Sequence, residues 1–217
     1  MTDFAARRTV MVDTQIRPSD VTKFPIIDAM LTIAREDFVP VSQREAAYVG
    51  ENLVLEGARV VLEPRTLAKM LDALNLSNDE LVLDVGAAYG YSSAVISRMA
   101  EAVVAVEQDD TMFSEAQEAF SNAGIDNVIM HHGALSEGAQ QHGPYDVIVV
   151  QGGVETFPQA LADQLKDGGR AACLFVNGAL GEVRIGHKRG DRMSWRMAFN
   201  AGAPVLDGFR NTVEFEL

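Results

Sequence analysis

Leu81-Val82-Leu83-Asp84-Val85-Gly86-Ala87-Ala88-Tyr89-Gly90-Tyr91 is the most informative stretch of the chain. Residues 81–85 form a short apolar run that stops at a glycine. That is the pattern of a strand buried on both faces of a parallel sheet. A helix is expected over 90–99, so residues 86–90 form the turn between strand and helix. Ligands of open α/β sheets bind at such turns, beyond the carboxyl ends of the strands. Gly86 and Gly90 let the backbone approach a ligand closely. The helix that follows aims its free N–H groups into the turn.

Downstream of this stretch, strands and helices alternate. Further strands are expected at 102–106, 127–131, 145–150, 170–176, 182–188 and 194–199. Helices are expected at 109–123, which Gly124 can end, and at 156–166, where Phe157, Ala160, Leu161 and Leu165 share a stripe. Strands joined through helices imply crossovers. The expected architecture is a Rossmann-like, doubly wound, mostly parallel sheet of about seven strands with helices on both faces. Upstream, residues 1–80 read as a helical cap. Its helices are 8–16, ending before Pro18, then 25–34 and 64–74, the last two opening on Pro25 and Pro64. Residues 53–63 carry Gly57 and read as a loop or short strand. The whole chain, 1–217, is expected to be one domain, with 81–217 as its cofactor-binding core.

Composition narrows the function. The chain is 47% hydrophobic and 23% charged, ordinary for a globular protein. The net charge of −13 repels a phosphate backbone, so nucleic acid is not an expected partner. No apolar run reaches the roughly 18 residues of a membrane span. The first residues lack the apolar core of a secretory signal, and the lone Cys173 lies in an apolar run as a buried thiol would. A reducing cytoplasm is the expected setting.

Glu107 ends the second strand about 20 residues after the glycine turn, where a carboxylate can accept hydrogen bonds from ribose hydroxyls. A dinucleotide fingerprint would need glycine at Ala88 and Tyr91, and neither is glycine. The spacing Asp84-x-Gly86-x-Ala88-x-Gly90 instead resembles the first motif of class I S-adenosylmethionine-dependent methyltransferases, acid-x-Gly-x-Gly-x-Gly, with Ala88 at the middle glycine. That resemblance implies S-adenosylmethionine as cofactor, its methionine part on the turn and its ribose on Glu107.

A more specific resemblance covers nearly the whole chain. Ile26-Ile27-Asp28-Ala29-Met30 followed by Arg35-Glu36-Asp37-Phe38-Val39-Pro40 and Ala47-Tyr48 is similar to an N-terminal block of the protein-L-isoaspartate O-methyltransferase family. So are 144–150 (Pro-Tyr-Asp-Val-Ile-Val-Val) and 165–170 (Leu-Lys-Asp-Gly-Gly-Arg), although many methyltransferases share these two. The resemblance implies methylation of the abnormal carboxylate of isoaspartyl residues in proteins, a repair reaction. It implies cofactor contacts at Asp84, Gly86, Ala87, Ala88, Gly90, Glu107, Gly133 and Ala134. Gln108, next to Glu107, reads equally as a cofactor contact or a solvated loop residue. Gln151, at the end of the fourth core strand, reads as a cofactor contact or as lining the substrate pocket, with the adjoining glycine pair 152–153 as a flexible turn.

Two departures stand out. The family's loop G-Q-T-I-S-Q-P, whose hydroxyls meet the substrate carboxylate, corresponds to residues 57–64, one residue longer and without Ser or Thr. The substrate contacts are then expected from Arg59, Val60, Val61 and Leu62. Arg59 can be read as a bidentate partner for a substrate carboxylate or as a solvated loop residue. The family's H-G-D-G is His132-Gly133-Ala134-Leu135 here, without the Asp that receives the adenine amino group. Nothing else in the sequence suggests other chemistry. His131 and His132 point to opposite faces of a strand and make no metal pair, and no Cys or His cluster has zinc spacing. Ser92-Ser93 read as polar groups of a helix N-terminus, without a nucleophile elbow. Three functions remain open: an isoaspartyl methyltransferase, a methyltransferase of another substrate, and a protein that binds S-adenosylmethionine without isoaspartyl activity.

Overall fold

The computed structural model describes residues 3–178 and 180–211. In chain order the elements are α1 (Phe4–Met11), α2 (Phe24–Thr32), β1 (Leu53–Val54), β2 (Val60–Val61), α3 (Pro64–Leu74), β3 (Leu81–Val85), α4 (Tyr91–Ser97) and β4 (Ala102–Glu107). They continue with α5 (Asp110–Asn122), β5 (Val128–His132), β6 (Tyr145–Val154), α6 (Gln159–Gln164), β7 (Leu165–Asn177), β8 (Leu180–Arg189) and β9 (Arg192–Asn200). No helix among the described residues is long and apolar enough to cross a membrane.

Seven strands form one sheet in the order β5-β4-β3-β6-β7-β8-β9. The first five are parallel, and the β7-β8-β9 meander closes the other edge antiparallel. From β3 the chain winds outward through β4 to β5, then returns to lay β6 on the other side of β3. The winding therefore reverses at the carboxyl end of β3, which is where ligands of such sheets bind. The glycine turn sits at that point.

Alternation along β3 feeds two core layers. Val82 faces the layer of α3, which buries Leu67, Met70, Leu71 and Leu74. Leu83 and Val85 face the other, with Val104, Val106, Leu161 and Phe209. Each such side chain contributes roughly 1.5–3 kcal/mol by leaving water. Pro64 opens α3, and Asn75 ends it in the left-handed conformation. Arg170 closes the last turn by donating to the carbonyls of Leu74 and Asn75 and by pairing with Glu80.

Several boundaries differ from expectation. The first helix starts at Phe4, and Pro18 does not end it. A π turn (Val12–Ile16) leads into a single 3-10 turn (Arg17–Ser19) that holds the proline. A wider turn gives room to a ring that clashes with the preceding carbonyl. The helix expected from 156 starts only at Gln159, because Pro158 biases Phe157 away from the helical region. Strand β6 runs on to Val154, and β7 begins at Leu165. Residues 53–61 make an antiparallel hairpin of two-residue strands, apart from the main sheet.

Candidate functional site

The turn after β3 is fixed to β4 through its backbone. The N–H groups of Gly86 and Ala87 both donate to the Val106 carbonyl. Gly86 has φ +81° and Ala88 φ +51°, so Ala88 holds the left-handed conformation that a glycine adopts more readily. Gly90 caps α4, and its bare face is covered by Phe120. A Cβ there would lie 2.5 Å from the Phe120 ring, so this glycine serves helix packing.

Asp84, at the end of β3, is completely buried. Its Oδ2 accepts from the hydroxyls of Ser92 and Ser93, each at 2.6 Å, and its Oδ1 accepts from Gln151 Nε2 at 2.7 Å. Burial holds its pKa above the ordinary carboxylate value, although the three donors pull the other way. The carboxylate ties three elements together: β3, the start of α4 and the end of β6.

Glu107 is also fully buried. Its Oε2 accepts from the Ala88 N–H at 2.7 Å, and its Oε1 from the N–H groups of Gln108 and Asp109 at 2.9 and 3.0 Å. The remaining capacity is taken by Arg59. The guanidinium donates from Nη1 to Oε1 at 2.7 Å and from Nη2 to Oε2 at 2.6 Å. This is a bidentate fork, the strongest geometry available to that pair. Arg59 is only 3% exposed, and its Nε has no acceptor. Arg59 therefore neither faces solvent nor points outward toward a substrate. The hairpin turn carries it inward, through Gly57 and Ala58 in left-handed conformations.

A second side chain reaches the same place from the far end of the chain. Leu206 is fully buried and packs on Gly152 and Gly86. A Cβ on Gly152 would meet it at 2.6 Å, and one on Gly86 would meet Arg59 at 3.3 Å and Leu206 at 3.4 Å. The segment carrying Leu206 is pinned to the end of β6, where Gly153 N–H donates to the Pro204 carbonyl and Leu206 N–H to the Gly153 carbonyl. Gly152 and Gly153 are thus sites of close packing and not a flexible turn.

What remains is a cavity of about 10 Å³ lined by Val60, Val61, Leu62, Gly86, Ala87, Ala88 and Gln151, among others. The fold does bring together residues expected at cofactor and substrate. The space between them admits about one water, whereas small-molecule sites measure on the order of 300 Å³ or more. In this arrangement the position expected for the ribose of S-adenosylmethionine, on Glu107, is taken by Arg59.

The remaining expected residues flank this point. Gln108 is half-buried, with its carbonyl oxygen 3.1 Å from His132 Nε2. Gly133 N–H donates to the Glu107 carbonyl, and Ala134 is exposed. A larger cavity, about 680 Å³, lies beside Glu137, Pro144 and Gln164 and includes none of the expected site residues. The serines' bonds to Asp84, the Arg59–Glu107 fork and the position of Leu206 were not anticipated from sequence. The first had a signal: an acid near the end of a buried strand, followed by two hydroxyls in the first turn of the next helix.

A family profile described as protein-L-isoaspartate(D-aspartate) O-methyltransferase matches residues 6–190. A Pelobacter propionicus protein named protein-L-isoaspartate O-methyltransferase 2 is 34% identical over 164 residues, covering 76% of this chain and 73% of that one. A solved protein-L-isoaspartate O-methyltransferase superposes with TM-score 0.80 at 26% identity, over 93% of this chain and 66% of that longer one. A Plasmodium falciparum protein solved with S-adenosyl-L-homocysteine gives TM-score 0.78 at 16% identity, over 95% and 99% of the two chains, a likeness of fold alone.

Proposed function

This chain belongs to the protein-L-isoaspartate(D-aspartate) O-methyltransferase family, and on that footing we propose that it is an S-adenosylmethionine-dependent methyltransferase acting on isoaspartyl carboxylates of proteins, in repair of aged chains in the cytoplasm. The observation that carries this reading is the convergence of Gly86, Ala87, Ala88, Gln151 and the Val60–Leu62 segment at the point where the sheet reverses its winding. A carboxylate nucleophile is already ionised at pH 7, so the protein needs no strong base. In keeping with that, Asp84 and Glu107 are both committed to hydrogen bonds. The cleft in its present form is a resting arrangement, and Arg59 must leave Glu107 before a nucleoside can reach it. Once released, its guanidinium is the cation that receives the substrate carboxylate, in place of the hydroxyls missing from the loop.

The assay offers methyl-labelled S-adenosylmethionine with an isoaspartyl peptide and counts volatile methanol from the hydrolysed ester. Methanol with the isoaspartyl peptide, and none with its ordinary aspartyl counterpart, is the expected result. The substrate loop, residues 57–64 without Ser or Thr, favours a second reading, a family member that has left isoaspartyl chemistry. Binding of S-adenosylhomocysteine without methanol release from the isoaspartyl peptide would favour that reading instead.

A further inference from the structure

We infer that Arg59 is an internal ligand of the nucleoside subsite, competing with the ribose of the cofactor for Glu107. The inference rests on the proposed function in one respect: it takes the ligand of that subsite to be S-adenosylmethionine or its demethylated product.

Glu107 presents two oxygens at the carboxyl end of β4, already oriented by three backbone N–H donors. A ribose offers two adjacent hydroxyl donors to such a carboxylate. The guanidinium offers two parallel N–H donors at 2.6 and 2.7 Å, which is the same hydrogen-bonding pattern with a positive charge added. Both cannot bind at once, because the five donors now present exhaust the roughly four lone-pair sites of the carboxylate. Gly86 carries no side chain on the face that meets Arg59 Nη2, so the guanidinium lies in space that the bare glycine leaves open.

The part that must move is the arginine side chain and the tip of its hairpin. The hairpin pairs Leu53 with Val61 and Val54 with Val60 outside the main sheet; Leu53, Val60 and Val61 are buried, and Leu55 N–H donates to the Arg59 carbonyl. Glu56, Gly57 and Ala58 at its tip are exposed. Arg59 Nε is buried without an acceptor, so the closed state leaves one donor unsatisfied that withdrawal would return to water. These features describe a two-state element. A ligand that binds only the open state has its apparent affinity reduced by the fraction of molecules that are open.

The test is calorimetric titration of S-adenosylhomocysteine into the full chain and into Arg59→Ala. Arg59→Gln guards against a variant that fails to fold, because its amide still offers the buried carboxylate one N–H donor. Minor open states typically hold 0.1–10% of molecules, so both variants are expected to bind about tenfold to thousandfold more tightly than wild type. Equal or weaker binding by the variants overturns the inference. So does failure of wild type and both variants to bind, because Arg59 would then not be what excludes the nucleoside. The methanol assay keeps this separate from the proposed function. Tighter binding by the variants with no methanol from wild type defeats the function and leaves the competition standing. Methanol from a wild type that binds as tightly as the variants does the reverse.

Discussion

Two fully buried carboxylates in one sheet would be an electrostatic liability without partners, and the partners here differ in kind. Glu107 is balanced by a cation, whereas Asp84 has only neutral donors: two hydroxyls and an amide. That difference makes Asp84 the residue whose ionisation opposes folding. Its folded pKa is raised by burial above the ordinary 3.8, so above that pH the folded protein binds more protons at this position than the unfolded chain does. Its contribution to stability is therefore full below pH 3.8 and is lost as pH rises through the folded value. Asp84→Asn removes the titration. In urea unfolding, the stability of wild type relative to Asp84→Asn should increase as pH is lowered from 7 to 4.5, by at most about 1.4 kcal/mol per pH unit. A difference that stays constant over this range would mean that Asp84 titrates alike in both states. The sequence placed Asp84 at the cofactor. Its three partners lie 8, 9 and 67 residues away, and only the two serines fall within reach of a local pattern.

Among the elements, the existence of the buried strands is legible in short-range pattern, whereas the extent of those set by distant neighbours is not. Strand β3 is a closed apolar run bounded by Gly86, and it appears as expected at Leu81–Val85. The extension of β6 to Val154 depends on β7 and on the C-terminal segment that bridges Gly153 to Val205, and no property of residues 151–154 announces it. The glycine pair there looks like a turn in sequence because its real constraint, the approach of Leu206, comes from more than fifty residues away. That constraint can be measured. Gly152→Ala puts a Cβ 2.6 Å from the buried Leu206 side chain and should cost roughly 1–3 kcal/mol of stability through overpacking. Leu206→Ala should remove the clash, so that the double variant is more stable than the two separate losses predict. Additive losses in thermal or urea unfolding would show that Leu206 is not the neighbour that matters.

For the whole molecule, the sheet order and the place of the site follow from alternating strands and helices, but the state of the site does not. It is set by two side chains, Arg59 and Leu206, from segments on either side of the strand–helix core. A motif describes the wall of a cleft and carries no information about what lies against it. This joining of distant segments also has a consequence for binding. If Arg59 exchanges Glu107 for a substrate carboxylate, then peptide and nucleoside favour the same open state, and each must raise the affinity of the other by the same factor. Saturating isoaspartyl peptide should therefore tighten S-adenosylhomocysteine binding to wild type by about 5- to 150-fold, the usual range of such coupling. The pair forms no product, so the measurement is at equilibrium. In Arg59→Ala the nucleoside subsite is already free and the cation is gone, so the peptide should leave the nucleoside affinity unchanged. Coupling of equal size in wild type and Arg59→Ala would mean that the two ligands communicate by some other route, and that the guanidinium serves only to close the cleft.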